Sequence, residues 1–304
     1  MITRREMLRT SLALGGAALF APNLFSAVTI PENRRYTDQL GWTIGPQIYS
    51  FNRFPFDEAL KMVAACGTPS FEVFVGQRVS RDINVSVGPD LMKPENSEAL
   101  KRVKDLLAET GCVMHAVGVC GSDKAHFDFA AEFKIPLLNT EPNARDIEAV
   151  SKRADEYKIR VGLHNHPYSS YYWSPDVVLN HLKDAGPLVG ACCDTGHWLR
   201  SKMNPQANFA LSPLECIKKL KGKIVGFHIK DLKLGEENRL SDIPLGQGDV
   251  GIADILKELA THKIDFKVPF SIEYEADWDN NQPKVAECVK FFDATASEIV
   301  KARG

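Results

Sequence analysis

Short apolar runs alternate with amphipathic segments along most of this chain, and that alternation restricts the fold more than any other feature. Each run is rich in Val, Ile, Leu or Phe and too short for a helix, which is typical of strands buried in a parallel sheet. We predict eight strands: Trp42–Tyr49, Phe71–Val75, Val113–Val119, Ile135–Leu138, Arg160–Leu163, Leu188–Cys193, Lys223–Ile229 and Val268–Ile272.

The segments between these runs have apolar residues at helical spacing and recognisable helix ends. Ser174-Pro175 and Ser212-Pro213 each place a capping serine before a proline in the first turn, and Gly111 ends another helix. Two long segments, 76–96 and 236–250, show no period and are predicted to be loops. We predict helices at Phe56–Ala65, Glu98–Thr110, Ala144–Tyr157, Asp176–Lys183, Leu214–Leu220, Ile252–Ala260 and Pro283–Lys301.

Eight strand–helix units in one chain of 304 residues fit a single-domain α/β fold, the (β/α)₈ TIM barrel. A doubly wound open sheet is the alternative, because periodicity alone does not distinguish the two. No Gly-x-Gly-x-x-Gly follows the first strand, which argues against a dinucleotide-binding site.

The charge balance and the cysteine pattern exclude several classes of protein. Lys and Arg number 37 against 39 Asp and Glu, so the excess of positive charge that nucleic-acid binding requires is missing. We find no apolar stretch long enough to predict a membrane span. The seven cysteines are irregularly spaced, mostly in apolar segments, and are predicted to be buried thiols rather than a disulfide framework.

The first residues have the pattern of an export signal. Arg4-Arg5 precedes the apolar run Leu12–Phe20, and small residues follow up to Ala27. The arginine pair suggests the twin-arginine route. We therefore expect a signal over residues 1–27, a barrel domain over 28–304, and a periplasmic or otherwise exported protein.

Polar side chains gather where the last four predicted strands end. In a barrel the carboxyl ends of the strands form the catalytic face. Imidazoles and carboxylates without thiolates suit a divalent ion such as Mn²⁺, Co²⁺, Fe²⁺ or Zn²⁺. The residues concerned are His164, His166, Asp194, His197, His228 and Glu273.

Four segments, three of which lie at these strand ends, resemble the xylose isomerase-like TIM barrels, the sugar phosphate isomerase/epimerase proteins. They are Cys193–Trp198, Phe227–Asp231, Gly246–Gly248 and Ser271–Glu275. The resemblance extends over about residues 41–300. It implies a TIM barrel that binds one divalent metal ion and acts on a small sugar.

The resemblance also implies a set of metal ligands, one from each of four strand ends. Asp194, His228 and Glu273 match three of them, whereas His164 stands where the family usually has a glutamate. Glu141, at the end of the fourth strand, is an alternative carboxylate for the metal or for proton transfer.

Further roles follow from the same resemblance and from strand geometry. Glu273 is the first choice for the proton-transfer base, and His197 matches a family histidine that contacts a substrate oxygen. Lys230 and His166 each lie two residues beyond a ligand, on the same side of the strand, where they could bind substrate. Trp198 is a candidate for stacking on a sugar ring, as are Trp173 and Trp278.

The function implied is metal-dependent sugar isomerisation or epimerisation, by proton removal next to a carbonyl through an enediolate. Two alternatives stay open: a 3-keto-glycoside lyase or hydratase on the same barrel, and a non-catalytic carbohydrate-binding barrel. The sequence predicts no nucleic-acid partner and leaves the oligomeric state open.

The export prediction can be tested by replacing Arg4 and Arg5 with lysine in the full chain. If the twin-arginine route is used, we expect the protein to stay in the cytoplasm, because that route reads the arginine pair itself. Cell fractionation with immunoblotting measures this, and undiminished export of the variant would contradict the proposed route.

Overall fold

Ten strands form within residues 28–303, the part of the chain that this computed structural model describes; the predicted export signal lies outside it. They are β1 (Trp42–Pro46), β2 (Ser70–Val73), β3 (Val113–Cys120), β4 (Leu137–Thr140), β5 (Arg160–His164), β6 (Val189–Asp194), β7 (Ile224–Ile229), β8 (Asp231–Leu234), β9 (Leu240–Ile243) and β10 (Val268–Ile272). Eight of them run parallel in the order β1-β10-β7-β6-β5-β4-β3-β2, and β8 and β9 form an antiparallel hairpin.

The two ends of this sheet meet, so the sheet is a nearly closed barrel. Gln47, just after β1, forms a parallel bridge with Glu72 of β2. Gly45 permits this approach, because a Cβ at that position would lie 1.8 Å from the carbonyl oxygen of Ser70. The chain is therefore a single-domain TIM barrel, as predicted, and the doubly wound alternative is excluded.

Helices connect the strands, and three of them begin or end at the signals read from the sequence, Ser174-Pro175, Ser212-Pro213 and Gly111. At the start of Pro213–Lys219, the Ser212 hydroxyl accepts from the Glu215 amide while the Glu215 carboxylate accepts from the Ser212 amide. Gly111 ends Ser97–Thr110 in the left-handed conformation. The helices are α1 (Arg34–Gln39), α2 (Phe56–Ala65), α3 (Ser97–Thr110), α4 (Lys124–Glu132), α5 (Ile147–Tyr157), α6 (Pro175–His181), α7 (Thr195–Lys202), α8 (Pro213–Lys219), α9 (Ile252–Leu259) and α10 (Gln282–Lys301).

The sequence analysis missed three short helices and the hairpin. Helices α1, α4 and α7 have six to nine residues each, and unlike the equally short α6 and α8 they do not begin with a Ser-Pro pair. The hairpin β8–β9 covers part of the loop predicted over 236–250, and its four-residue strands lack a continuous apolar run. None of the helices in residues 28–303 is long and apolar enough to cross a bilayer.

Aromatic rings pack between β7, β10 and the surrounding elements, on the side of the sheet that faces away from the barrel interior. The ring of Phe270 in β10 stacks on Phe227 of β7, with centroids 4.6 Å apart, and also contacts Trp42 and Phe292. Side chains alternate along a strand, so the next residue of each strand, His228 or Ser271, points to the barrel interior. All seven cysteines are free, and six of them are buried.

The Gly246–Gly248 motif holds the loop that follows the hairpin. The Asp231 carboxylate accepts hydrogen bonds from the backbone amides of Gly246, Gly248 and Val250. A Cβ on Gly248 would lie 2.2 Å from Asp231 Oδ1, so this position requires glycine. The Asp231 side chain thus holds this loop in place through three hydrogen bonds to its backbone.

Gly45→Ala tests the closure of the barrel. Because the new methyl group would meet backbone atoms of Ser70, we expect the free energy of unfolding to fall by about 1–3 kcal/mol or more. Thermal unfolding followed by circular dichroism measures the change.

Gly235→Ala is the matched control. Gly235 has a φ of -95° and a Cβ there would only make an ordinary 3.5 Å contact with the Arg239 carbonyl oxygen. Its effect should stay within about 0.5 kcal/mol. Equal stability of the two variants would show that β1 and β2 do not depend on this close approach.

Candidate metal centre

Four predicted ligands meet at the carboxyl ends of adjacent barrel strands. His164 and Asp194 are the last residues of β5 and β6, His228 lies near the end of β7, and Glu273 directly follows β10. One donor atom from each lies within 4.8 Å of the donor atoms of the other three. The first three side chains are fully buried and that of Glu273 is 11% exposed.

The hydrogen bonding of these atoms provides a test of whether a cation fits here. His164 Nε2 and Asp194 Oδ2 lie 3.7 Å apart and are buried, and within residues 28–303 neither makes a hydrogen bond. Asp194 Oδ2 has only longer ionic contacts, 3.4 Å to Lys230 Nζ and 3.5 Å to His197 Nε2. Buried polar atoms are normally hydrogen-bonded, so an unpartnered pair facing one centre calls for a ligand. Two imidazole nitrogens and two carboxylate oxygens suit a divalent ion of borderline hardness. The donor atoms of this cluster are therefore suited to hold a divalent metal ion.

Carboxylates behind the two imidazoles fix their orientation. His164 Nδ1 lies 2.9 Å from Glu141 Oε1, and His228 Nε2 lies 2.9 Å from Glu72 Oε1. Each ring then has its other nitrogen directed at the cluster. Metal-binding histidines usually donate their second N–H to a carboxylate in this way, and the arrangement raises the basicity of the ligating nitrogen.

Glu72 is a residue of the candidate site that the sequence pattern did not point to. Its carboxylate is completely buried inside the barrel and also accepts from Asn139 Nδ2 and from Ser271 Oγ. Burial raises the pKa of Glu72, but His228 and these hydrogen bonds hold it below its ordinary value. The available signal was a glutamate within the apolar run of β2, since a buried carboxylate requires partners.

The cluster attracts positive charge. Burial lowers the pKa of His228, but Glu72 and Glu273 raise it well above its ordinary value. Burial raises the pKa of Glu273, but Lys230 and His228 hold it far lower, so this carboxylate is ionised at neutral pH. The carboxylates around the cluster are thus ionised, and the His228 ring and the Lys230 ammonium are their cationic neighbours.

Lys230 lies behind the cluster rather than in the open cavity. Its Nζ is 3.2 Å from Glu273 Oε2, 3.4 Å from Asp194 Oδ2 and in direct contact with Glu275 Oε1. The side chain is fully buried, and although burial lowers its pKa, these carboxylates raise it far above the ordinary value. Lys230 is therefore a fixed positive charge that aligns the carboxylates.

A cavity of about 290 Å³ opens over Glu273. Tyr49 and Phe74 form an aromatic side, with their ring centroids 4.8 Å apart. Trp278 contacts Tyr49 from outside. The polar side chains that line the cavity are those of Gln47, His166, His197, Glu273 and Glu275.

The other predicted site residues divide between the cavity and the core. His166 and His197 line the cavity, and their rings stack with centroids 5.0 Å apart. Glu141 contacts His166 as well as His164. Trp198 is a correction to the prediction: it is 1% exposed and packs in the hydrophobic core, because helix α7 directs it away from the cavity.

This geometry agrees with a family comparison. The model of the xylose isomerase-like TIM barrels matches residues 141–295, half of the chain, including all four candidate ligands. The chain belongs to the xylose isomerase-like TIM barrel family. Among curated proteins, no significant sequence match was found.

Solved structures share the fold of this xylose isomerase-like barrel. An uncharacterized protein from Parabacteroides distasonis is 24% identical over 83% of this chain and 98% of its own, with a TM-score of 0.61. A xylose isomerase-like TIM barrel protein from Mycobacterium smegmatis in complex with magnesium is 16% identical over 82% and 91%, with a TM-score of 0.63. A D-tagatose 3-epimerase-like protein is 16% identical over 86% and 99%, also at 0.63. At these identities the likeness concerns the barrel alone.

Metal binding is tested by chelation and by Asp194→Asn. We expect the purified protein to carry about one divalent ion per chain, and chelation to lower Tm, because a ligand bound only by the native state stabilises it. At a free ion concentration of 100 times Kd, the bound metal would raise the free energy of unfolding by about 2.7 kcal/mol. Elemental analysis and thermal unfolding measure both effects.

Asp176→Asn, which changes an exposed carboxylate on α6, is the matched control and should retain the ion. Asp194→Asn should lose most of it, since an amide is a poorer ligand for such ions. A native protein that binds far less than one equivalent of Mn²⁺, Co²⁺ or Zn²⁺ would refute the site. Full metal content in His164→Ala would move the fourth ligand to Glu141.

Proposed function

We propose that this chain is an exported, metal-dependent sugar isomerase or epimerase that moves a proton on the carbon next to a carbonyl group. The observation that carries the proposal is the position of Glu273. This carboxylate belongs to the candidate metal cluster and also lines the cavity, so a group bound at the cluster lies within its reach.

The cavity suits a small polyhydroxylated substrate. A divalent ion held at the cluster would act there as a Lewis acid on the carbonyl and neighbouring hydroxyl oxygens. Tyr49 and Phe74 offer an apolar face for the carbon-bound hydrogens of a sugar. His197 also lines this cavity, where the resemblance implies a hydrogen bond to a substrate oxygen.

Glu273 takes the carbon-bound proton. Its Oε2 lies 2.9 Å from His228 Nδ1 and 3.2 Å from Lys230 Nζ, contacts that hold the carboxylate in one orientation. A fixed carboxylate next to the reacting carbon is the arrangement that general-base catalysis requires. Export is proposed from the sequence pattern of residues 1–27 alone.

Glu273→Gln tests the assignment of the base. The amide cannot accept the proton, so we expect exchange of the carbon-bound proton with deuterated solvent to fall by about 10²–10⁴-fold. Glu273→Asp keeps the charge but moves it by about one methylene, and should lose roughly 10²-fold. NMR in deuterated water, with D-fructose, D-tagatose, D-psicose and 3-keto-glucosides as probes, measures exchange and conversion together.

Glu148→Gln on the exposed face of α5 is the control and should exchange at the wild-type rate. If metal-loaded Glu273→Gln still exchanges normally, the base lies elsewhere, and loss of exchange in Glu141→Gln alone would assign it to Glu141. Wild-type protein that binds a sugar but exchanges none of the probes would favour the carbohydrate-binding alternative.

A further inference from the structure

A second proton-transfer group is needed if the proposed reaction is to proceed on both faces of the substrate, and this inference rests on the proposed function. Glu273 approaches from the end of β10 only. The position at which the resemblance implies a second carboxylate is His164, whose Nε2 is directed at the metal cluster. A different side chain must therefore return the proton.

His166 has the contacts expected of such a group. Its Nδ1 hydrogen-bonds to Glu141 Oε1, the same oxygen that binds His164 Nδ1. Within the described part of the chain no hydrogen bond engages its Nε2. The side chain is 44% exposed and lines the cavity. A histidine oriented by a carboxylate, with its other nitrogen open to a cavity, is a standard arrangement for acid–base catalysis.

The position of His166 is across the cavity from Glu273. In the barrel order, β7 and β6 separate β10 from β5, so the two side chains enter from different walls. The His166 ring is held between neighbours, 4.8 Å from the His164 ring and stacked on His197. A sugar lying over the cluster would thus have Glu273 on one side and His166 on the other.

The remaining polar groups of the cavity fit this role less well. Glu275 follows the same strand as Glu273, so it approaches the substrate from the same wall, and it is paired with Lys230. Lys230 itself is fully buried between carboxylates. His197 is only 6% exposed. Among these cavity residues, only His166 is exposed, hydrogen-bonded to a carboxylate and on a different wall from Glu273.

We propose that His166, oriented by Glu141, is the second proton-transfer group of this barrel. Glu273 takes the proton from the carbon, and the C–H electron pair moves into the adjacent carbonyl system. The protonated His166 ring then delivers its Nε2 proton to the other face of the same carbon, which inverts it. Glu273 afterwards releases its proton to water and His166 takes one up, so that no net proton is gained or lost. In the reverse direction the two groups exchange roles.

His166→Gln separates the two half-reactions. With the metal-loaded variant and the same keto-sugar probes in deuterated water, we expect solvent exchange to continue within about threefold of the wild-type rate. Product formation should fall by about 10²–10⁴-fold, because proton return from the second face is lost. The metal content should stay at the wild-type level, since His166 is not one of the four candidate ligands that include Asp194 and Glu273.

Chemical rescue provides a readout that a structural role would not give. The exposed position of His166 lets a small molecule enter, so added imidazole should restore product formation to His166→Ala in a saturable manner. Imidazole should not restore Glu273→Gln. His181→Gln, which changes a histidine of α6 that contacts Tyr171, is the matched control and should convert substrate normally.

The outcomes distinguish this inference from the proposed function. Wild type without exchange on any probe would overturn the proposed function and this inference with it. Wild-type exchange together with normal product formation in His166→Gln, or an equal loss of exchange and product, would overturn the inference alone. If His166→Gln does not fold by circular dichroism, His166→Asn and the imidazole rescue of His166→Ala decide by the same criteria.

Discussion

The buried carboxylate of Glu72 is the interaction on which the rest of the site depends. An ionised group inside a barrel is costly unless it is hydrogen-bonded and paired, and Glu72 meets this requirement through Asn139, His228 and Ser271. These partners come from three different strands, so satisfying one carboxylate fixes the relative positions of β4, β7 and β10. The same bond to His228 turns its other ring nitrogen towards Glu273. The hydrogen bonds that make the buried Glu72 carboxylate tolerable therefore also orient the His228 ring in the candidate metal centre.

Barrel closure places Glu72 there. β1 and β2 approach closely at Gly45, and the bridge between Gln47 and Glu72 completes the ring at the edge where the strands end. An open sheet would leave β2 far from β7 and would leave the carboxylate without its imidazole partner. Glu141 has the corresponding function on the other side of the cluster, because one of its oxygens orients both His164 and His166. The site therefore consists of a central cluster with a carboxylate behind each ligating imidazole.

The parts of this structure that could be predicted from the sequence are those that depend on local pattern. The eight barrel strands were located because buried strands are continuous apolar runs, and the convergence of His164, Asp194, His228 and Glu273 follows once parallel strands end at one face. The hairpin β8–β9 was missed because its four-residue strands mix polar and apolar residues and contain no continuous apolar run. Trp198 was misplaced, since its position after a strand end did not reveal which way the first turn of α7 would direct it.

The sequence by itself determined the α/β class, the strand ends and the identity of the candidate ligands, because these follow from apolar periodicity and from residue type. Only the tertiary structure decided which oxygen meets which nitrogen. Glu72 lies 156 residues from His228 in sequence, and no local rule pairs them. Whether Lys230 faces the cavity or the carboxylates, and which imidazoles Glu141 contacts, depended on distances of a few ångströms across the barrel. Those distances are set by strand tilt and closure, which are properties of the whole sheet.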